Sequence, residues 1–325
     1  MNFQQLRIIS ETVKRNFNLT EVANALFTSQ SGVSKHIRDL EEELGVQIFV
    51  RKGKRLLGLT EAGGELLEIV ERMLLDTQNI KNLSCRFRHC EQGELIVATT
   101  HTQACYALPQ VVVAFKTLFP KVHLVLHECN PREIKAMLVE GRADVGVATE
   151  ALADVADLGS FPCYRWRHCV VVPREHALTQ LPELSLEALA QYPILTYHEG
   201  IAGRSQIDRA FARAGLKPDI VLSSMDADVI KTYVRLDLGI GIIAPMAYSS
   251  LRDDGLHLLE SAALFDMNTT RIALRRGYYL RGFAYRFIEL CFSHIRSAQI
   301  EVWPHPPTHT DLQALAKHHP SRGVA

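Results

Sequence analysis

Residues 18–60 constrain this chain more than any other stretch, because their spacing spells out a complete DNA-reading unit. Asn18, with Glu21 three positions later, has the form of a capping box that opens a short helix whose Val22 and Leu26 share one face. Thr28 and Ser29 then break that helix and offer hydroxyls to cap the next one. In the second helix Val33, Ile37 and Leu40 fall at i, i+4 and i+7, a stripe that packs inward. That turns Gln30, Ser31, Ser34, Lys35 and Arg38 outward, as donors able to reach base edges and phosphates from a major groove. The pattern predicts a helix-turn-helix.

The next segment supports that reading. Phe49-Val50-Arg51-Lys52-Gly53-Lys54-Arg55-Leu56 sets four cations around a glycine between apolar flanks. A β-hairpin with Gly53 at its tip would hold Arg51, Lys52, Lys54 and Arg55 against the phosphate backbone as a wing. Most charge runs are solvated loops, but the position directly after a helix-turn-helix favours the wing.

These residues carry a family resemblance. The run Thr28 to Lys35, followed by Leu40-Glu41-Glu42-Glu43-Leu44-Gly45-Val46 and Phe49, resembles the N-terminal domain of LysR-type transcriptional regulators. Leu59-Thr60-Glu61-Ala62-Gly63 is similar to that family's exit from its wing. Ser31 stands where most members carry proline, and a serine still suits the first turn of a helix.

At 325 residues the chain has room for a small domain and a larger one, each with its own core. Its formal net charge is zero, yet residues 1–60 hold nine Lys/Arg against six Asp/Glu, a surplus of three that a dimer would double across one DNA face. No apolar run follows a basic start and nothing approaches a transmembrane span, so a cytoplasmic protein with no membrane partner is expected. Seven cysteines, odd in number and irregularly spaced, suit a reducing cytosol.

No metal site and no cofactor are expected from the spacing of cysteines and histidines. Cys85 and Cys90 lack CxxC spacing, as do Cys163 and Cys169 on either side of His168. The run Cys163 to Val172 reads as one strand with both cysteines on one face in the core. His305, His309, His318 and His319 lie in a Pro-rich tail that reads as poorly ordered.

Four parts are expected: a winged helix-turn-helix over 1–60, a linker and dimerisation helix over 61–90, an effector-binding domain over 91–300 and a tail over 301–325. Along the linker helix, from Glu61 to Phe87, Leu66, Leu67, Val70, Met73, Leu74, Thr77 and Ile80 form a narrow apolar stripe that wants a partner helix. A helix packed on its own domain is the alternative; the resemblance favours a dimer seam, with dimers pairing into a homotetramer.

From Gly93 the pattern becomes alternating strands and helices. Strands are read at Leu95–Thr99, Val122–Leu126, Val145–Ala148, Val170–Val172, Ile194–Thr196, Ile220–Leu222 and Ile240–Ile243. Helices separate them at Pro109–Phe119, Arg132–Glu140, Leu186–Ala190, Arg204–Ala214 and Ala227–Leu236. This is an α/β fold with mainly parallel sheets, over a length that suits two lobes of the periplasmic-binding-protein kind. Ligands in such folds bind outside the carboxyl ends of strands. Two loops there are rich in neutral donors, Thr99-Thr100-His101-Thr102-Gln103 and Ala148-Thr149-Glu150. They suit a small anion at a helix start, although any one threonine is as well explained by ordinary capping.

The resemblance sharpens from family to group. Ala98-Thr99-Thr100-His101-Thr102-Gln103-Ala104, Thr149-Glu150-Ala151-Leu152, Pro162-Cys163-Tyr164, Gly203-Arg204-Ser205 and Asp226 to Val234 resemble the CysB group, over about residues 1 to 297. The resemblance implies control of sulfur-assimilation or of sulfonate and sulfate-starvation genes. It implies operator DNA and RNA polymerase as partners, and a sulfate-like anion or acetylserine as effector. It also implies that Thr100, Thr102, Gln103 and Thr149 contact the anion, with Trp166 as a nearby pocket wall. Two departures bear on the ligand: Ala202 stands where the group usually has threonine, and Cys105 where it usually has arginine. His198-Glu199 also differs from the group. A lost hydrogen bond to a charged ligand is worth roughly 1.5–3 kcal/mol, enough to weaken sulfate or admit another effector.

The competing class is an NAD-dependent α/β oxidoreductase, resting on the GxGxxA string Gly239 to Ala244. A dinucleotide fingerprint must follow a strand and open a helix, whereas this string follows a helix and itself reads as strand. A periplasmic solute-binding protein would share the two lobes but would need a signal peptide and would lack residues 1–60.

Overall fold

The computed structural model describes residues 1–53, 55–87, 92–261, 263–295 and 300–317. Lys54, Cys90, His318 and His319 lie outside the described residues, as does the side chain of Cys85. The chain divides into two compact units, Met1–Ser84 and Cys85–Ala325.

The first unit packs α1 (Phe3–Lys14), α2 (Leu19–Ala25) and α3 (Gln30–Leu44) around a core that includes Ile8, Ile9, Val22, Val33, Ile37 and Leu40. Asn18 caps α2 by accepting the N–H groups of Thr20 and Glu21, and Ser29 caps α3 through Gly32 N–H at 3.1 Å. Gly45 ends α3 in the left-handed conformation that glycine tolerates best. Strands β1 (Phe49–Lys52) and β2 (Arg55–Leu59) form an antiparallel hairpin in which Lys52 pairs with Arg55, with Gly53 at φ 62° in the turn. Helix α4 (Glu61–Phe87) follows, and its Leu66 and Leu67 pack on the three-helix core.

The second unit has two lobes. Lobe I contains β3 (Gly93–Thr99), α5 (Pro109–Leu118), β4 (Val122–Glu128), α6 (Pro131–Val139), β5 (Val145–Ala148) and β6 (Leu158–Trp166). The chain then enters lobe II through β7 (Cys169–Pro173), α7 (Leu186–Leu189), β8 (Ile194–Tyr197), α8 (Arg204–Arg213), β9 (Ile220–Ser224), α9 (Ala227–Arg235), β10 (Ile240–Ile243) and β11 (Leu256–Leu259). It returns to lobe I as β12 (Asn268–Arg275), α10 (Gly282–His294), β13 (Glu301–Val302) and α11 (His309–Lys317). Among the described residues the lobe I sheet runs β13-β6-β12-β5-β3-β4 and the lobe II sheet β11-β7-β10-β8-β9.

Three expectations are corrected. The sheets are mixed, not mainly parallel: β3 pairs parallel with β4 and β5, whereas β12 pairs antiparallel with β5 and β6, and β7 antiparallel with β10 and β11. The run Cys163 to Val172 is two strands in two sheets. Cys163 and Cys169 are both buried, but the chain changes lobe between them at Arg167-His168. The segment 301–317 is also packed where a poorly ordered tail was expected. Glu301 and Val302 pair with Arg165 and Tyr164 of β6, and Trp303 N–H donates to Cys163 C=O at 2.8 Å. Leu312 and Ala316 are buried, while Leu315 fills the space over Gly159 that a Cβ would need. Three prolines at 304, 306 and 307 made the segment look irregular, but the i, i+3, i+4 spacing of Leu312, Leu315 and Ala316 is an apolar helical stripe.

The string Gly239 to Ala244 holds β10, which pairs parallel with β8 and antiparallel with β7; it follows α9 and opens no α-helix. It has no dinucleotide-binding geometry. Among the described residues no helix is long and apolar enough to cross a membrane.

Candidate functional site

Two polar surfaces stand out, one in each unit. On α3, Gln30, Ser31, Lys35 and Arg38 are exposed and Ser34 is half-buried, while Val33, Ile37 and Leu40 point into the core. The inward stripe holds the helix in place, and the outward face is free to meet DNA. In the hairpin Lys52 and Arg55 are exposed, and Lys54 lies outside the described residues.

Arg51 differs from the other wing cations. Its guanidinium donates to Glu41 Oε2 at 2.6 Å, and Glu41 Oε1 accepts the backbone N–H groups of Ile48 and Phe49 at 2.9 and 3.2 Å. Glu41 is 4 % exposed. A buried carboxylate must have its lone pairs met, and here Ile48, Phe49 and Arg51, at the start of the wing, meet those of a carboxylate carried by α3. Arg51 therefore fixes the hairpin to α3, a role the charge run concealed.

In the second unit the expected anion contacts gather at the ends of β3 and β5. Thr100, Thr102 and Gln103 are buried and Thr149 is half-buried. Two of them have a hydrogen-bonded side-chain partner. Thr149 Oγ1 lies 3.1 Å from Thr270 Oγ1, and Gln103 Oε1 accepts from Tyr164 OH. Trp166 Nε1–H donates to the same Thr270 hydroxyl at 3.0 Å. Trp166 thus backs the threonine cluster from behind and also lines a separate cavity of about 500 Å³ with Arg165, Arg167, His168, Met267 and Glu301. Thr100 lines a smaller cavity of about 120 Å³ between the lobes with His101, Glu128, Cys129, Ile201 and Met225.

Polar bridges cross this cleft. His101 Nε2 stands 3.1 Å from Asp226 Oδ2, and Gly203 N–H at the start of α8 donates to Glu150 Oε1. Burial pushes the Glu150 carboxyl up to about 7, against the N–H groups of Gly203, Glu150 and Ala202 that favour its charged form. Among the described residues its Oε2 is buried without a hydrogen-bond partner. The carboxyl of lobe I thus occupies the helix start that lobe II offers to an anion. The loop reading of Thr149-Glu150 counted the hydroxyl and passed over the acid beside it.

The α8 start is tightly built. Ala202 is buried with φ 47°, and Gly203 has φ 71° with Asn268 packed against it where a Cβ would go. Behind them His168 is fully buried. Its Nε2–H donates to Ala202 C=O at 2.8 Å, its Nδ1 accepts from Asn268 Nδ2 at 3.3 Å, and burial lowers its pKa to about 4. This neutral imidazole ties the lobe crossover to the α8 start.

A helix-turn-helix with a polar reading face, carried by the same chain as a two-lobed α/β domain with a polar cleft, defines a ligand-responsive DNA-binding regulator. Residues 3–64 match the bacterial regulatory helix-turn-helix proteins of the lysR family, and residues 89–296 match the LysR substrate binding domain. The chain is 54% identical over 300 residues to the HTH-type transcriptional regulator SsuR of Burkholderia cenocepacia, covering 92% of this chain and 97% of SsuR. It is 48% identical over 301 residues to CysB of the same organism, covering 93% of this chain and 96% of CysB. The crystal structure of the cofactor-binding domain of the Cbl transcriptional regulator matches with a TM-score of 0.61 at 48% identity, over 63% of this chain and 90% of that one. The chain belongs to the LysR family of bacterial helix-turn-helix transcriptional regulators, in its CysB-like group.

Proposed function

We propose that this regulator works in the cytoplasm as a homotetramer, a dimer of dimers. It reads operator DNA with Gln30, Ser31, Ser34, Lys35 and Arg38 and holds phosphates with Lys52, Lys54 and Arg55. A small oxyanion or carboxylate, a sulfate-like anion or acetylserine, is its effector, taken between the lobes by Thr100, Thr102, Gln103 and Thr149. Its targets are sulfur-assimilation or sulfonate and sulfate-starvation genes, on which it acts together with RNA polymerase. The observation that carries the DNA reading is the exposed polar face of α3 opposite a buried Val33, Ile37 and Leu40. The sulfur reading rests on the similarity to the CysB group.

Two apolar surfaces support the tetramer. On α4, Ile69, Ile80 and Leu83 are exposed, and on lobe II Val221, Met225, Val229, Tyr233 and Leu236 are exposed. Two independent self-complementary seams are what a closed assembly larger than a dimer needs. Within α4, Val70 is buried in the single chain and Leu74 faces α1 beside Lys14, so the seam lies on the Ile80 side rather than on the Val70 and Leu74 side.

The test uses the full chain with promoter DNA from sulfur-assimilation genes and unrelated DNA of equal length, titrated across salt. Thermal denaturation with sulfate, thiosulfate, O-acetylserine and N-acetylserine runs in parallel, since a ligand of the folded state raises apparent stability. Equal affinity for both DNAs would refute the operator reading. No stabilisation by any of the four compounds would refute the effector reading.

A further inference from the structure

The cleft also holds a cluster that no anion reading uses. His101, just past β3, is engaged at both ring nitrogens. Glu128 Oε2, at the end of β4, lies 2.8 Å from Nδ1, while Asp226 Oδ2 from lobe II lies 3.1 Å from Nε2. Cys105, one turn on from His101 and exposed, places Sγ 3.3 Å from the same Nε2. Ligand atoms of His101, Asp226 and Asp228 lie within 4.8 Å of one another, the one such group of three among the described residues.

Three features make this more than a patch of acids. The donors are mixed, an imidazole, a thiol and two carboxylates, which is the set Zn²⁺ takes in preference to Mg²⁺ or Ca²⁺. Around His101 Nε2 the spacing is already close to that of ligands, with Asp226 Oδ2 at 3.1 Å and Cys105 Sγ at 3.3 Å, since atoms bound tetrahedrally at about 2.0–2.3 Å stand roughly 3.3–3.8 Å apart. The exposed Cys105 side chain must turn to bring its sulfur up to the carboxylates. Glu128 on Nδ1 is the outer carboxylate that metal-bound histidines commonly have, and it leaves Nε2 as the donor facing the other groups. Nε2 faces the Asp226 carboxylate at 3.1 Å, a gap that a proton or a metal ion can fill. Asp226 is held in place because its Oδ1 caps α9 through Asp228 N–H at 2.7 Å. Asp228 is bound by Lys231 at 2.9 Å, but Lys231 also holds Asp253 and the Ala247 carbonyl and keeps them if Asp228 turns to a metal.

We propose that His101 Nε2, Cys105 Sγ and the carboxylates of Asp226 and Asp228 form a Zn²⁺-type metal site that joins lobe I to lobe II across the cleft. Binding converts the Cys105 thiol to a thiolate and releases its proton to solvent. The site depends neither on the identity of the anionic effector nor on the genes controlled. A metal there would fix the two lobes in their closed relation, because His101 and Cys105 belong to one and Asp226 and Asp228 to the other.

The test is titration of metal-free, reduced full-length protein with Co²⁺, which reports thiolate ligation as a charge-transfer band and tetrahedral geometry as visible absorption, followed by displacement with Zn²⁺. Wild type should take up a single tightly bound Co²⁺ per chain with both signals. Cys105→Ser, at an exposed position, should lose the thiolate band, and Asp226→Asn should weaken binding by at least the roughly 10–100-fold that outer ligand changes cause. A wild-type spectrum without a thiolate band, a band that survives in Cys105→Ser, or equal affinity in wild type and His101→Gln would each overturn the proposal.

Discussion

Replacing Glu150 with glutamine separates the two roles that its carboxyl plays in the cleft. The substitution keeps an oxygen to accept Gly203 N–H but removes the ability to ionise. In the wild type burial raises the carboxyl from its ordinary value of 4.5 to about 7. The folded state therefore binds a proton that the unfolded chain releases near pH 4.5. This contribution to stability is fully present below that pH and is lost as pH rises through about 7, at most about 3 kcal/mol in total. Glu150→Gln should flatten that part of the stability profile, measured by urea unfolding of the second unit between pH 5 and pH 8. The same charge opposes an effector anion at the α8 start. Two unit charges about 4 Å apart at an effective dielectric near 20 repel by about 4 kcal/mol; part of this is relieved when the carboxyl swings away. Sulfate affinity in wild type should then fall as pH rises through about 7. In Glu150→Gln it should be up to roughly tenfold higher at pH 8, the factor set by protonating the carboxyl one unit above its pKa, and nearly independent of pH. Calorimetry with sulfate reads both. An unchanged stability slope in Glu150→Gln, or sulfate affinity no higher than wild type at pH 8, would refute the reasoning.

Glu41→Ala leaves the buried N–H groups of Ile48 and Phe49 without an acceptor and should cost about 1–3 kcal/mol for each, with Glu41→Gln less affected; hydrogen exchange at those two amides reads the loss. Ser34→Ala and Arg38→Ala should narrow the gap between operator and unrelated DNA, whereas Arg55→Ala should weaken both alike and flatten the salt slope by about one unit. Ile80→Asp, at a position 69% exposed in the single chain, should dissociate the assembly in sedimentation, whereas Val70→Asp should lower thermal stability instead. Ala202→Ser should strengthen sulfate binding by at most one charge-assisted hydrogen bond, roughly 1.5–3 kcal/mol. Ala202→Thr should gain less, because its β-branched side chain is strained at a φ of 47°; calorimetry on the pair ranks them.

What could be read from the sequence was what neighbours along the chain decide. The caps at Asn18 and Ser29, the Val33–Ile37–Leu40 stripe, the wing turn at Gly53 and every strand and helix named from Leu95 to Ile243 depend on spacing within about ten residues. Pairings between distant segments were hidden. Strand β12 was not foreseen, and with it went the antiparallel half of the lobe I sheet and the Thr270 hydroxyl that joins Thr149 to Trp166. Arg51 reads as one wing cation among four until Glu41, ten residues earlier, is seen beneath it. The cysteines and histidines were judged by their spacing along one chain segment, and Asp226 reaches His101 from another lobe. The apolar stripe of α4 was real, but periodicity alone does not say which edge of a stripe faces the domain's own core.

The packed segment 301–317 changes how the chain can be handled. The family match ends at residue 296, and a cut there would remove both β13 and α11. Strand β6 would lose its outer neighbour and present an unpaired edge to other molecules, the usual route to strand-to-strand aggregation. Gly159, a surface made flat for Leu315, would be left facing water, and the Arg165 guanidinium would lose the Trp303 ring 4.3 Å below it. These contacts brace the strand that carries Trp166 into the lobe crossover. Chains shortened at that boundary would therefore yield poorly soluble material, and any failure of such a fragment to respond to ligand would describe the cut rather than the protein.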